Sequence, residues 1–240
     1  MSNAGNASRH RTPRETRRRR DYTNPWQRLI NTGFRLLYHE LAWSYDAVAW
    51  LGSRGQWRAW VQTALPFLVG QRVLELGHGP GHLLVCLAQR GFAPVGIDAS
   101  PQMVRLASRR LERAGPRKDL VQAQAEAPPF AEGVFDSVVA TFPTTYVMDP
   151  ATLAAISRIL RPEGRLVIVI GARLCGRDPL SRFIEWLYQI TGQRTTAGAA
   201  EWQAAFNAAG LIGRSLVVEL ERSQVTVLVA EHSFGTLATH

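Results

Sequence analysis

Residues 72–84 read Arg72-Val73-Leu74-Glu75-Leu76-Gly77-His78-Gly79-Pro80-Gly81-His82-Leu83-Leu84. A short apolar run gives way to a loop with three glycines and then to residues whose apolar positions, Leu83, Leu84, Leu87 and Ala88, share one helical face. Strand, glycine loop and helix in this order bring backbone N–H groups and the positive end of a helix to the edge of a sheet, a usual place for a nucleotide-like ligand. The glycine spacing narrows the choice. In the dinucleotide fingerprint the third glycine would stand at position 82, which is His82, so the Gly77-x-Gly79-x-Gly81 pattern departs from it. A triphosphate-binding loop needs lysine after its last glycine, and the one lysine of the chain is Lys118.

Outward from this stretch the punctuation predicts an alternation of strands and helices, the sequence form of a parallel sheet with helical crossovers. Gly91 stops the first helix and residues 94–98 form a second strand. Ser100 is a predicted N-cap with Pro101 at the first helical position, and Met103, Leu106, Ala107 and Leu111 line one face of a helix ended by Gly115. A weak third strand falls at 119–123 and a fourth at 135–141. Asp149 and Pro150 open a helix that turns Leu153, Ile156 and Leu160 inward, with Arg161-Pro162-Glu163-Gly164 as its exit turn. A fifth strand is expected at 165–170 and a helix near 200–209. Strands at 214–220 and 225–231 are spaced to pair as an antiparallel hairpin.

Ahead of this core, residues 25–68 carry apolar positions at helical spacing, interrupted at Gly52-Ser53-Arg54-Gly55 and closed by Pro66. The reading divides the chain into a disordered basic tail (1–24), a helical lid (25–70) and a catalytic domain (71–240). A length of 240 residues, 46% of them apolar, suits one substantial core. The formal charge of +9 is uneven, because residues 1–20 hold seven arginines against Glu15. Such a tail is usually a solvated run, so a nucleic-acid partner is not expected. The sequence shows no bilayer-length apolar segment, and Cys86 and Cys175 lack metal-ligand spacing, so no metal is expected and a reducing cytoplasm fits best.

The run Val73 to His82 resembles motif I of the class I S-adenosylmethionine-dependent methyltransferases, including the acid two places before the first glycine. Val95-Gly96-Ile97-Asp98 followed by Ala99-Ser100-Pro101-Gln102-Met103 is similar to the second motif of that family. The segment Ala123-Gln124-Ala125-Glu126-Ala127-Pro128-Pro129-Phe130 is similar to its adenine-contact segment, Phe135-Asp136-Ser137-Val138-Val139 to its fourth strand, and Leu160-Arg161-Pro162-Glu163-Gly164-Arg165-Leu166 to the turn before strand five. The match is best to the small-molecule branch that includes the ubiquinone and menaquinone C-methyltransferases. The resemblance implies a Rossmann-like α/β fold, a seven-stranded mostly parallel sheet in the order 3-2-1-4-5-7-6 with an antiparallel last strand, and helices on both faces. It implies S-adenosylmethionine as cofactor and a small-molecule methyl acceptor.

The resemblance also assigns residues. Glu75, Gly77, Gly79 and Gly81 would surround the methionine end of the cofactor, where missing side chains permit close backbone approach. Asp98 would accept both ribose hydroxyls beside Ala99, Gln124 and Ala125 would meet the adenine, and Thr141 would stand at the end of strand four. Gln124 departs from the pattern: an acid is frequent there, and a neutral amide bonds the adenine amino group without charge assistance, unless Glu126 takes its place. No catalytic base is assignable, since alignment of an activated methyl group with its acceptor supplies most of the rate. Weak candidates are Tyr45, which with Asp46 resembles a pair that closes over the cofactor, Tyr146 after strand four, and His39; His78 titrates in a useful range, but the structural role of such histidines is commoner. Thr141-Phe142-Pro143-Thr144 is unlike the Asn/Asp-Pro-Pro-Tyr tetrad of amino-group methyltransferases. Phe183, Trp186, Leu187 and Ile190 either wall an acceptor pocket or pack on the core. A silent cofactor-binding protein, an RNA-associated enzyme using the arginine tail and a nicotinamide enzyme stay open as alternatives.

Overall fold

A computed structural model describes residues 53–115, 119–143, 145–175 and 198–233. Helix α1 (Trp57–Gln62) and a 3₁₀ turn (Leu65–Phe67) precede strand β1 (Arg72–Leu76). Then come α2 (His82–Gln89), β2 (Ala93–Asp98), α3 (Pro101–Ala114), β3 (Leu120–Gln122) and β4 (Phe135–Thr141). A second 3₁₀ turn (Thr145–Met148), α4 (Pro150–Ile159), β5 (Leu160–Leu174), α5 (Ala199–Ala208), β6 (Leu211–Leu220) and β7 (Ser223–His232) complete the order.

The seven strands form one sheet in the order β3-β2-β1-β4-β5-β7-β6. Pairing is parallel from β3 through β5, and β7 runs antiparallel to both β5 and β6. This is the Rossmann-like arrangement that the motif resemblance implies. Successive strands are added on one side of β1 up to β3 and on its other side from β4, so the loop after β1 opens at the topological switch point, where sheets of this type hold their ligands.

Local chemistry explains most boundaries. Ser100 caps α3 by accepting from the Met103 N–H, Pro101 supplies the first-turn geometry, and Gly115 ends the helix in the left-handed region at φ +83°. Asp149 caps α4 by accepting from the Ala151 N–H at 2.9 Å. Asp149→Ala is expected to cost about 1 kcal/mol and lower the melting temperature by roughly 2–4 °C, read by calorimetry with ligand absent; an unchanged transition would deny the cap its role.

The sheet separates two packed layers. On one side Trp60, Leu83 and Leu87 pack with Val73, Val139, Val167 and Val227. On the other, Ile156, Trp202 and Phe206 pack with Leu74, Leu76, Val138 and Ile168. Alternate residues of the central strands serve opposite layers, and both faces are buried, as the continuous apolar runs require.

Two boundaries differ from the sequence reading. The 161–164 turn does not lie between α4 and strand five. Leu160 already pairs with Phe135, and the turn loops out of β5 before Arg165 pairs with Ser137. The terminal hairpin is longer than expected because its ladder runs unbroken from Leu211↔His232 to Leu220↔Ser223. Gly213 allows this extension, since a Cβ there would lie 2.2 Å from the Phe206 ring of α5.

Candidate functional site

The carboxyl ends of β1, β2 and β4 meet around the glycine loop. Gly77, Gly79 and Gly81 all have positive φ, at +63°, +52° and +81°, values that side chains resist. Two of them are also short of space. A Cβ on Gly77 would lie 2.4 Å from the Tyr146 hydroxyl, and one on Gly81 would lie 2.8 Å from the Ala107 Cβ of α3. At Gly79 a Cβ would meet nothing within 4 Å, so that peptide borders open space.

The loop's N–H groups are mostly engaged by the protein, contrary to the free donors expected from the sequence. Gly77 and His78 both donate to the Ile97 carbonyl, at 2.8 and 3.2 Å, and Gly81 donates to the His78 carbonyl. Gly79 donates to Asp98 Oδ2 at 2.9 Å, while Asp98 Oδ1 accepts from the Ser100 N–H at 2.8 Å. Asp98 therefore ties the glycine loop to the start of α3, and each of its oxygens keeps lone-pair capacity for a further donor.

Glu75 lies beneath the loop, 2% exposed, with Oε2 lacking a hydrogen-bond partner. Burial pushes its carboxyl well above the usual range, the Asp98 charge adds to the rise, and a hydrogen bond from the Leu84 N–H in the first turn of α2 partly offsets it. His78 is 3% exposed. Its Nδ1 is 2.7 Å from the Gly79 carbonyl, which makes Nδ1 the donor, and Nε2 has no partner. Burial lowers the imidazole pKa against the opposing pull of Asp98 and the loop backbone, so His78 is held neutral at ordinary pH.

A narrow cleft opens beside the loop between α1 and the first turn of α2, lined by Trp57, Val61, Glu75, Gly77, His78 and Thr141 among others. Thr141 ends β4 opposite Val169. The next residue, Phe142, takes φ +48°, a strained value for a bulky side chain. Its ring meets Trp57 at 4.6 Å between centroids and Trp60 at 6.0 Å, while Trp60 is anchored by its Nε1–H donating to Ser223 Oγ at 2.7 Å. Tyr146 donates from its hydroxyl to the Leu76 carbonyl at 3.3 Å, closing the floor of the site over the end of β1.

The segment 123–127 lies beside Asp98, because the Ala123 N–H donates to the Asp98 carbonyl and the Ala127 N–H closes a turn on Gln124. Gln124 and Ala99 are exposed and Ala125 is half-buried. Glu75, Asp98, the glycines, Thr141 and the 123–127 turn thus converge on the sheet edge from separate elements. His39, Tyr45, Asp46, Phe183, Trp186, Leu187 and Ile190 lie outside the described residues. Trp57, one apolar residue of a helical run in the sequence, was not singled out there as a site residue; Phe142 falls within the 141–146 stretch after strand four, where acceptor contacts are expected, and only its backbone conformation has no local signal. Among the described residues no cluster of His, Cys, Asp or Glu has the makings of a metal site.

Known proteins show the same fold and family. A methyltransferase-domain family model matches residues 73–164. The uncharacterized methyltransferase sll0829 of Synechocystis sp. is 35% identical over 147 residues, covering 58% of this chain and 67% of that protein. The demethylmenaquinone methyltransferase of Symbiobacterium thermophilum is 32% identical over 163 residues, 63% of this chain and 62% of its own length. The crystal structure of geranyl diphosphate C-methyltransferase from Streptomyces coelicolor, in complex with Mg²⁺, geranyl diphosphate and S-adenosyl-L-homocysteine, superposes with a TM-score of 0.56 at 16% identity, covering 72% of this chain and 78% of that one. At that identity the likeness is one of fold. The chain belongs to the class I S-adenosylmethionine-dependent methyltransferases. Within that family its relatives include the demethylmenaquinone and ubiquinone/menaquinone C-methyltransferases, and the match spans less than two thirds of several of them.

Proposed function

We propose that this protein transfers the methyl group of S-adenosylmethionine to a small apolar or aromatic acceptor, with C- or O-methylation favoured. The observation that carries the reading is the convergence of a buried, unpartnered Glu75 oxygen and the Asp98 carboxylate on one glycine loop. An orphaned carboxylate oxygen under a loop bordering open space fits the ammonium of an amino-acid ligand, and a second carboxylate with spare acceptor capacity fits a diol. Glu75 would hold the methionine end, the peptides of Gly77 and Gly79 would lie against it, and Asp98 would grip the ribose. Ala99, Gln124 and the half-buried Ala125 would border the adenine, with Gln124 offering an uncharged acceptor.

The bound cofactor supplies an activated sulfonium methyl group, so the protein's own work is to bind, orient and exclude water. Thr141 and Trp57 border the cleft, and the Trp57–Phe142 pair gives a flat apolar acceptor a surface to stack on. Tyr146 fits positioning better than base chemistry, because its proton is directed at the Leu76 carbonyl and its hydroxyl occupies the space that a Gly77 side chain would fill. Buried within the loop and bonded to the Gly79 carbonyl, His78 suits a structural role.

Labelled S-adenosylmethionine incubated with a panel of quinols, phenols and isoprenoid-bearing aromatics tests the reading. Label is expected in an apolar aromatic product; cofactor binding without transfer to any of the panel would favour the silent alternative. With an accepted substrate in hand, Trp57→Ala is expected to raise the acceptor KM about tenfold while leaving cofactor affinity within a few-fold. An unchanged KM would remove Trp57 from the acceptor site.

A further inference from the structure

Charge is divided between the two helical layers. In α3 the buried residues Met103, Ala107 and Leu111 recur every four positions toward the sheet. Arg105, Arg109 and Arg113 recur at the same interval, displaced by two residues, which turns them about 200° around the helix to face directly away from the sheet. All three are exposed and make no hydrogen bond or ion pair among the described residues. Like charges at this spacing repel and destabilise the helix by a few tenths of a kcal/mol per pair, so the stripe is not there for the helix's own sake.

The neighbouring elements extend the patch. Helix α1 packs on α2 and α2 on α3, and right-handed crossovers put α2 and α3 on one face of the sheet. This layer adds exposed Arg54 and Arg58, and Arg90, whose guanidinium donates to Cys86 and Gln62, while Glu112 is the one carboxylate on its three helices. The opposite layer differs: α4 and α5 carry Arg158, whose guanidinium is spent on the carbonyls of Phe130 and Pro128, and Glu201. The cleft also belongs to the basic layer, since Trp57 and Val61 of α1 and Leu83 of α2 form its walls.

We infer that the α1–α2–α3 face docks the enzyme on an anionic lipid surface, with the cleft mouth on the membrane side. Arginines attract acidic headgroups, each contributing about a fivefold gain in partitioning near a charged bilayer. An apolar acceptor concentrates in the bilayer, so an enzyme held there by this face meets it beside the cleft. A single-stranded nucleic acid fits this surface less well, because such sites pair positive charge with exposed aromatic stacking platforms. Here α3 carries no aromatic residue and Trp60 is buried, while Trp57, paired with Phe142, lines the cleft. The choice of lipid over nucleic acid rests on the apolar acceptor proposed above.

The test is sedimentation of the full chain with vesicles of phosphatidylcholine alone or doped with phosphatidylglycerol, with no acceptor present, so the outcome is independent of turnover. The full chain is expected to bind only the doped vesicles and to be released by molar salt. The full chain carrying Arg105→Gln, Arg109→Gln and Arg113→Gln is expected to bind them roughly 100-fold more weakly at low salt, with its melting temperature and cofactor affinity retained. A parallel full-chain variant with Arg17, Arg18, Arg19 and Arg20 changed to Gln separates the tail from the helix. Binding that survives the helix triple, or that is lost with the tail variant alone, overturns the inference. So does equal binding to neutral vesicles, or a preference for an RNA oligonucleotide over doped vesicles that the helix triple removes.

Discussion

Glu75→Gln is expected to raise the melting temperature of the ligand-free protein at neutral and alkaline pH and, in the same molecule, to weaken S-adenosylmethionine binding by about tenfold or more. The two effects have one source. Glu75 is buried with one oxygen unpartnered and Asp98 close by, so desolvation first and like charge second hold its folded-state pKa above the ordinary value. An acid with a raised folded pKa contributes stability that is fully present below its unfolded pKa and is lost as pH rises through the folded one. At acid pH the wild-type carboxyl is neutral and the glutamine variant gains little. The gain should therefore grow as pH rises from the ordinary glutamate range toward the folded pKa and then level off. Each kcal/mol relieved raises the melting temperature by about 2–4 °C in a chain of this size. A ligand ammonium would supply a countercharge to the carboxylate, so the uncharged amide gives up affinity for what it gains in stability. Calorimetry across pH, with and without cofactor, reads both; a pH-independent difference, or tighter cofactor binding, would remove Glu75 from the proposed role.

Asp98→Ala is expected to reduce cofactor affinity by roughly 100-fold, a larger loss than one ribose contact predicts. The carboxylate holds the Gly79 and Ser100 N–H groups and, in the role proposed for it, also accepts from the ribose; charge-assisted hydrogen bonds contribute about 1.5–3 kcal/mol each. Without it the glycine loop keeps the Gly77 and His78 bonds to Ile97 but loses the one that holds Gly79. Asp98→Asn provides the discriminating comparison. An amide oxygen can still accept one backbone bond but cannot hold both N–H groups and the diol, so its affinity should fall between those of wild type and Asp98→Ala. Titration calorimetry that finds Asp98→Ala within threefold of wild type would show that the ribose is gripped elsewhere.

The parts of this molecule that could be read in advance are those governed by near neighbours in sequence. Ser100 with Pro101 and Asp149 with Pro150 mark helix starts because their side chains and ring geometry act within three residues. Strand β4 runs over the expected 135–141, where Phe135, Val138, Val139 and Ala140 are buried. The family resemblance implied that Glu75, Asp98 and the glycines share one sheet edge, where the structure brings them together. What was not legible depends on partners remote in the chain. The loop N–H groups are engaged by Ile97 and Asp98 of a different strand, β5 continues past its turn because β4 pairs on both sides of it, and Trp57 acquires its place from Phe142, 85 positions away. Phe142 itself adopts a backbone angle that its composition disfavours.

The terminal hairpin has a kinetic consequence. β6 and β7 are joined across residues 221–222 and zip through a ladder from Leu220↔Ser223 outward, so each added pair closes only a slightly longer loop. The β1–β4 pairing must first bring Val73 to Ser137 across a long intervening segment. Contacts between remote residues form slowly, so the refolding full-length chain should assemble its carboxyl-terminal ribbon early and its β1–β4 seam late. The ligand pocket straddles that seam, which makes the catalytic end of the domain the last region to mature and the one a bound ligand would most protect from reopening.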